Sequence, residues 1–206
     1  MSELDIKSST IDKSLDAVKG FLQKLVGPSV DEMGLLLSDN VKLWRLKNQL
    51  RNLEKVKSIV EKENINTKQV NLKVLFPYLE GVSLEDDNEL QDLWANLFVN
   101  YIDADKNLRV NVYPSVLSQL STQEVTVLKF LMEEKAHYIG KSKTVTEINA
   151  EDEVIANLSR LGLIEDDLDV RGNGRKRPEY YLEFQGYKLS VFGYSFFEAC
   201  TRNKKN

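Results

Sequence analysis

The chain has almost none of the residues on which metal and thiol chemistry depend. Its 206 residues include one cysteine, Cys200, and one histidine, His137. One cysteine excludes an intramolecular disulfide and a cysteine-rich zinc site. One histidine excludes every motif that needs two, including the zinc-hydrolase pair spaced one helical turn apart. An excess of positive charge is lacking too. Lys and Arg number 28 against 32 Asp and Glu, a formal net charge of -4 and a pI near 5.3. A chain-wide basic footprint for nucleic acid is therefore absent. No run of about 18 apolar residues occurs. The opening MSELDIKSSTIDKSLDAVKG has no apolar core of signal-peptide length. These absences lead us to expect a cytoplasmic protein with no membrane partner.

What is present suits a globular protein. Hydrophobic residues make up 42% and charged residues 29%, enough apolar content to bury a core. The length fits one medium domain or two small ones. The charge is uneven. Residues 1–70 carry a net of +2, residues 71–110 a net of -5, and residues 111–206 a net of -1. The acidic middle disfavours contact with a nucleic-acid backbone there.

The first segment has helical periodicity. Leu15, Val18, Leu22, Leu25 and Val26 recur at three-to-four spacing. Such a stripe packs on the chain's own core, the commoner use, or lies on a membrane surface over Ser14–Val26. Gly27-Pro28 interrupts. A longer helix is predicted over residues 29–63. Its line Leu43, Leu46, Leu50, Leu53, Lys57, Val60 alternates three and four, the seam one helix offers another. Asn64 and the polar ENINTK tract are the predicted stop and linker.

A second helix is predicted around Leu72, Val74, Leu75 and Leu79, with Pro77 near its start or kinking it. SLEDDNELQDLWANLFVNYID follows. Ser83 or Asp86 is the expected cap, and the carboxylates complement the helix N-terminus. Leu90, Leu93, Trp94, Leu97 and Tyr101 share a face, with Phe98 beside them. DADKN is a turn. Trp44 and Trp94 are both expected in the core.

Beyond Tyr113-Pro114, Val116, Leu117 and Leu120 predict a short helix. Ser121 and Glu124 form a capping box for the next. Another helix is predicted from Glu151 to Leu161. Tyr180, Leu182 and Phe184, then Tyr187, Leu189 and Val191, alternate as two strands. Phe192, Phe196 and Cys200 return to helical spacing, so Cys200 packs as a small apolar side chain.

Catalytic motifs fail on particular residues. An Arg-x-x-x-x-His pair has Met132 where its arginine belongs. A P-loop ending in Gly140-Lys141 has Lys135 where the first glycine must let backbone approach phosphate. A nucleophile elbow at Ser195 has Phe197 in place of its second glycine. The run Glu85, Asp86, Asp87, Glu89, Asp92 lacks the glycine of an EF-hand loop. Helix capping and a solvated face account for these carboxylates.

The ending is more specific. IANLSRLGLIEDD, a basic turn, and YKLSVFGYSFFEAC resemble the last part of a winged-helix domain. Leu158, Leu161, Gly162, Leu163, Ile164, Tyr187, Leu189, Ser190, Gly193 and Phe196 carry that likeness. Gly162 ends a helix at positive φ, and Ser190 caps the last one. A recognition helix opening Glu151, Asp152, Glu153 repels phosphate, and its one cation is Arg160. The turn offers Arg171, Arg175, Lys176 and Arg177 as a candidate nucleic-acid contact. A solvated loop, or a fold used for protein contacts, is the favoured alternative.

From about Leu15 to Cys200 the chain resembles the bacterial Abi-alpha (abortive infection alpha) family. The likeness lies in GPSVDEMGLLLSDNVKLWRLKNQLRNLEK, VLFPYLEGVSLEDDNELQDLWANLFVNYID, YPSVLSQLSTQE and the LGLI…YKLSVFGYSFFEAC ending. The central block is the most specific, with Pro77, Leu84, Glu85, Leu90, Trp94, Ala95 and Asn96 in order. The resemblance implies a role in bacterial defence against phage. It supplies no catalytic residues. Glu85 is placed to accept backbone N–H bonds, and Asn96 to satisfy buried polar groups between helices.

The expected fold is mainly α. Long N-terminal helices (1–66) and a central helical segment (67–112) precede a winged-helix-like C-terminal part with one β-hairpin (113–206). No cofactor, metal or catalytic set is expected. The expected partner is a protein, or a second copy of the chain, on the seam Leu43, Leu46, Leu50, Leu53. Nucleic acid at the basic turn is the alternative.

Overall fold

The computed structural model describes residues 18, 20–26, 43–137, 152–166 and 187–202. Helix α1 runs Leu43–Lys62, so the expected long helix is seen from Leu43 onward, and residues 29–42 lie outside the described residues. Its end is set by Asn64, which adopts a positive φ of 52°. The Ile65 N–H reaches the Val60 carbonyl at 3.0 Å and the Asn64 N–H the Glu61 carbonyl at 3.4 Å. This is a Schellman cap, with asparagine in the left-handed position that glycine more often takes. The next residues are the expected non-helical linker, and it is tied down by backbone bonds. Thr67 bridges Asp103, and the Lys68 N–H donates to the Ile102 carbonyl at 2.7 Å.

Helix α2 runs Leu72–Leu84 and is capped by Asn71, whose side chain accepts from the Lys73 N–H at 2.8 Å. Pro77 sits inside it. Helix α3 runs Asn88–Ile102. Its cap is Asp87, not Ser83 or Asp86: the Asp87 carboxylate accepts from Glu89 and Leu90 at 2.8 and 3.0 Å. Ser83 is still helical, and its hydroxyl donates back to the Glu80 carbonyl at 2.7 Å. Helix α3 is the central rod, buried on nearly every side from Leu90 to Ile102. Helices α1 and α2 pack on it, and the short helix α4, Tyr113–Leu117, packs on α2. Val18, Leu22 and Leu25 of the N-terminal helical stretch are also buried, the core-packing outcome for that stripe.

Contacts divide the chain into two units. One is Met1–Gln119 with Ala199–Asn206, and the other is Leu120–Glu198. The expected boundaries at 66 and 112 fall inside the first unit, because α1 packs against α2 and α3.

In the second unit, α5 (Thr122–His137) opens on the expected capping box. The Ser121 N–H donates to Glu124 Oε2 at 2.9 Å, the reciprocal arm of that motif. Helix α6 (Asp152–Arg160) ends as expected at Gly162, whose φ is 69°. The Leu163 N–H returns to the Leu158 carbonyl and the Gly162 N–H to Ser159, each at 2.9 Å, a second Schellman cap. Strand β1 (Ile164–Asp166) follows and pairs antiparallel with β2 (Tyr187–Leu189), Ile164 opposite Leu189.

Of the two strands the alternation predicts, the one at Tyr180, Leu182 and Phe184 lies outside the described residues, and the other does not run on to Val191. Instead Ser190 stops it: its Oγ accepts from the Gly193 N–H at 2.8 Å and donates to the Gly162 carbonyl at 2.5 Å. The chain turns helical at once as α7, Val191–Cys200. Gly193 is required there, because a Cβ would lie 1.8 Å from the Leu163 carbonyl oxygen. Among the described residues the fold is thus mainly helical with one small antiparallel strand pair near the C-terminal end. No helix among the described residues is long and apolar enough to cross a membrane.

Candidate functional site

The residues of the central sequence block gather where α2 turns into α3. Leu84 ends α2, and the Glu85 N–H closes it on the Val82 carbonyl at 3.3 Å. The Glu85 carboxylate then accepts from the Asp87 N–H at 3.0 Å. Two carboxylates in succession thus serve the backbone N–H groups of the turn and of the first turn of α3, as helix N-termini favour. Burial pushes the Glu85 pKa up, and the neighbouring Asp87 and Asp86 charges add to that, against the backbone bonds that favour the ionised form.

A polar stripe of α1 binds this turn. Arg45 Nε donates to Ser83 Oγ at 2.9 Å and Asn48 Nδ2 to the Ser83 carbonyl at 3.2 Å. Gln49 Nε2 donates to the Leu79 carbonyl at 2.9 Å, and Arg51 Nη2 to the Asp86 carbonyl at 3.0 Å. Lys55 pairs with Asp92. The Ser83 carbonyl, in the last turn of α2, lacks an intrahelical donor, and a side chain of a second helix supplies one here.

Beneath the stripe lies a buried amide network. Asn52 Nδ2 donates to Gln91 Oε1 at 2.6 Å and to the Gln91 carbonyl at 2.7 Å. The Tyr78 hydroxyl donates to Asn52 Oδ1 at 2.6 Å. Gln91 Nε2 donates to the Glu85 carbonyl at 2.8 Å. Burial pushes the Tyr78 phenol well above its ordinary value, so it remains a donor. Its ring stacks on Phe98 with centroids 4.1 Å apart, and meets Trp94 edge-on at 6.0 Å. Trp94 in turn lies over Gly81, where a Cβ would stand 2.4 Å from the indole. Among the described residues two buried side-chain atoms have no partner, Gln49 Oε1 and Arg51 Nε.

The chain matches the family model described as Abortive infection alpha over residues 39–200. It belongs to the abortive infection alpha family. That membership points to abortive infection, a defence against phage. No curated protein and no solved structure matches the chain. The family motif residues have distinct places. Glu85 sits in the α2–α3 turn and Trp94 in the core. Asn96 is half-buried and makes no side-chain hydrogen bond among the described residues. The role expected of it between helices is filled by Asn52, Gln91 and Asn100, all buried. Nothing in the sequence singled out Asn52 and Gln91, because polar residues one turn away, Asn48, Gln49 and Lys55 for Asn52 and Asp87 and Asn88 for Gln91, give them the look of a solvated face.

The other candidates resolve as follows. Leu50 and Leu53 of the seam are buried in the first unit and Leu46 is half-buried. Leu43 is the first residue of α1. Leu50 and Leu53 are thus covered within the chain's own first unit. Arg171, Arg175, Lys176 and Arg177 lie outside the described residues. Trp94 is a core residue, but Trp44 is 48% exposed, against expectation. It stands at the start of α1, whose packing against α2 and α3 involves other positions of the helix. Leu84, next to the bonded Ser83, is 59% exposed. Cys200 is fully buried, and burial pushes its thiol far above the ordinary range. Among the described residues no group of three or more His, Cys, Asp or Glu could hold a metal.

Proposed function

We propose that this chain serves abortive infection by binding another protein through the first turn of α1 and the last turn of α2. The observation that carries the reading is the exposure of Trp44 and Leu84. Each adjoins a residue of the Arg45–Ser83 hydrogen bond, which brings those two helix ends together. Exposed large side chains beside a fixed polar contact suit a binding anchor, and tryptophan is enriched in such anchors. Glu80 and Asp86 are exposed on the adjoining turns of this region. Arg45 and Arg51 bring cations to the same turn, so a partner with an apolar anchor and a rim of both charge signs complements it.

The test is the double substitution Trp44→Ser with Leu84→Ser. Truncating a buried anchor costs about 2 kcal/mol, roughly thirtyfold in Kd. We expect phage plating to recover and partner capture to fall, with the far-ultraviolet dichroism unchanged. Full protection together with full capture by the folded variant rejects the reading.

A second reading is a winged-helix contact with nucleic acid. It is favoured by the order α6, β1, β2, α7, with the basic residues Arg171 to Arg177 lying in the chain between the two strands. Titration of the purified chain with duplex DNA at low salt checks it. Binding that weakens when Arg175, Lys176 and Arg177 are replaced supports it, and no binding rejects it.

A further inference from the structure

The last described residues are held in a way that nothing in the helical packing requires. Helix α7 crosses from the second unit to the first between Glu198 and Ala199. Directly after the crossing, the chain is gripped by Asn100 of α3. Asn100 Nδ2 donates to the Ala199 carbonyl at 2.7 Å and to the Thr201 carbonyl at 3.3 Å. These carbonyls are at a helix end and lack intrahelical donors.

Arg202 then anchors the segment at three places. Its Nε and Nη2 donate to Glu63 Oε2 at 3.1 and 2.7 Å. Its Nη1 donates to Asn100 Oδ1 at 2.8 Å and lies 3.7 Å from Asp103 Oδ2. Lys106 Nζ also donates to Asn100 Oδ1, at 2.8 Å. Between its two grips the chain buries Cys200 completely.

This arrangement has a weak side. The Arg202 and Asp103 side chains are 14% and 9% exposed, but Glu63 is 43% exposed. The guanidinium thus holds one buried and one wet carboxylate, and salt screens the wet one. The segment is four residues long, and the Arg202 side chain ties down its far end. Such a segment opens at lower free energy than a helical core.

We propose that Ala199–Arg202 is a clasp that opens as a local unit, ahead of global unfolding, and that this opening is what exposes the Cys200 thiol. Arg202 is its positioning residue, through its fork to Glu63 and Asn100. The device gives the end of α7 a closed and an open state that differ by a few hydrogen bonds and one buried thiol.

The chain's one cysteine makes the state readable. The full chain is mixed with a chromogenic disulfide reagent under native conditions, and the rate of Cys200 labelling is followed. Arg202→Ala should label about tenfold faster, as expected for losing a charge-assisted contact that is partly solvated. Arg202→Lys keeps the charge but not the fork, and should fall between. Glu63→Gln should also speed labelling, and serves if Arg202→Ala folds poorly. Added salt should speed the wild type more than Arg202→Ala.

Two results would overturn the clasp. One is an equal rate in wild type, Arg202→Ala and Glu63→Gln. The other is a wild-type labelling rate whose denaturant dependence is as steep as that of global unfolding, since a local opening exposes little surface and gives a shallow slope.

Discussion

Glu124 is a buried carboxylate whose neighbours keep it ionised. Burial by itself raises its pKa. Bonds from the Ser121 hydroxyl, the Asn157 amide and the Ser121 N–H outweigh that, and the group titrates below the ordinary glutamate value of 4.5. Asn157 Nδ2 donates at 2.9 Å, so the same carboxylate ties α6 to the start of α5. A folded pKa below the unfolded one adds stability that is complete above the unfolded value. That stability is lost as pH falls through the folded value. Glu85 has the opposite sign: its raised pKa adds stability at low pH that is lost as pH rises through it. Glu124→Gln should therefore flatten the acid limb of stability below pH 4.5. At neutral pH it should cost about 1 kcal/mol, the usual loss for a helix cap. Thermal melts of both proteins across the acid range measure both effects.

At the scale of elements, the α2–α3 pair depends on Gly81. An alanine there would gain about 1 kcal/mol of helix propensity. Its Cβ would also stand 2.4 and 2.5 Å from two indole carbons of Trp94. Trp94 is fully buried, with the Tyr78 ring edge-on to it. The indole has no open side toward which to move, so overpacking of about 1–3 kcal/mol outweighs the gain. Gly81→Ala should lower the denaturant midpoint, with a shifted tryptophan emission. An unchanged midpoint would mean that α2 and α3 can separate freely at this point. The same pair carries the α1 stripe, since Ser83, Leu79 and Gln91 take its amide and guanidinium bonds. Buried polar groups of this kind fix register between helices that apolar packing alone leaves loose.

For the whole molecule, the question is whether a variant loses function through its fold or through its surface. Tyr78→Phe removes the donor to the buried Asn52 Oδ1. Leaving such an acceptor unsatisfied costs about 1–3 kcal/mol, and lower stability reduces the amount of folded protein in a cell. Protection by Tyr78→Phe should thus fall in step with its abundance on an immunoblot. Protection by the Trp44→Ser, Leu84→Ser chain should fall at full abundance, because both side chains are exposed. If the two variants behave alike, the exposed pair has no role beyond stability.

Helix positions, caps and stops were readable from the sequence because each depends on neighbours a few residues away. Ser121 with Glu124, Gly162 after α6 and Ser190 before α7 stand where their spacing predicted. The apolar face of α3 was also legible, as Leu90, Leu93, Trp94, Leu97 and Tyr101 are all buried. Periodicity showed that Leu50 and Leu53 need a partner surface, but not whose. The tertiary structure covers them within the chain's own first unit, while Trp44, six residues before Leu50, is left in solvent. The pairing of 164 with 189 was out of reach for the same reason. So was the clasp, which joins Glu63, Asn100, Asp103 and Arg202. Local rules act through a turn of backbone, whereas contacts between residues tens of positions apart exist only once the chain has closed on itself. The sequence by itself determined which segments are helical and which faces are apolar. Only the tertiary structure decided which of those faces meet each other and which stay exposed.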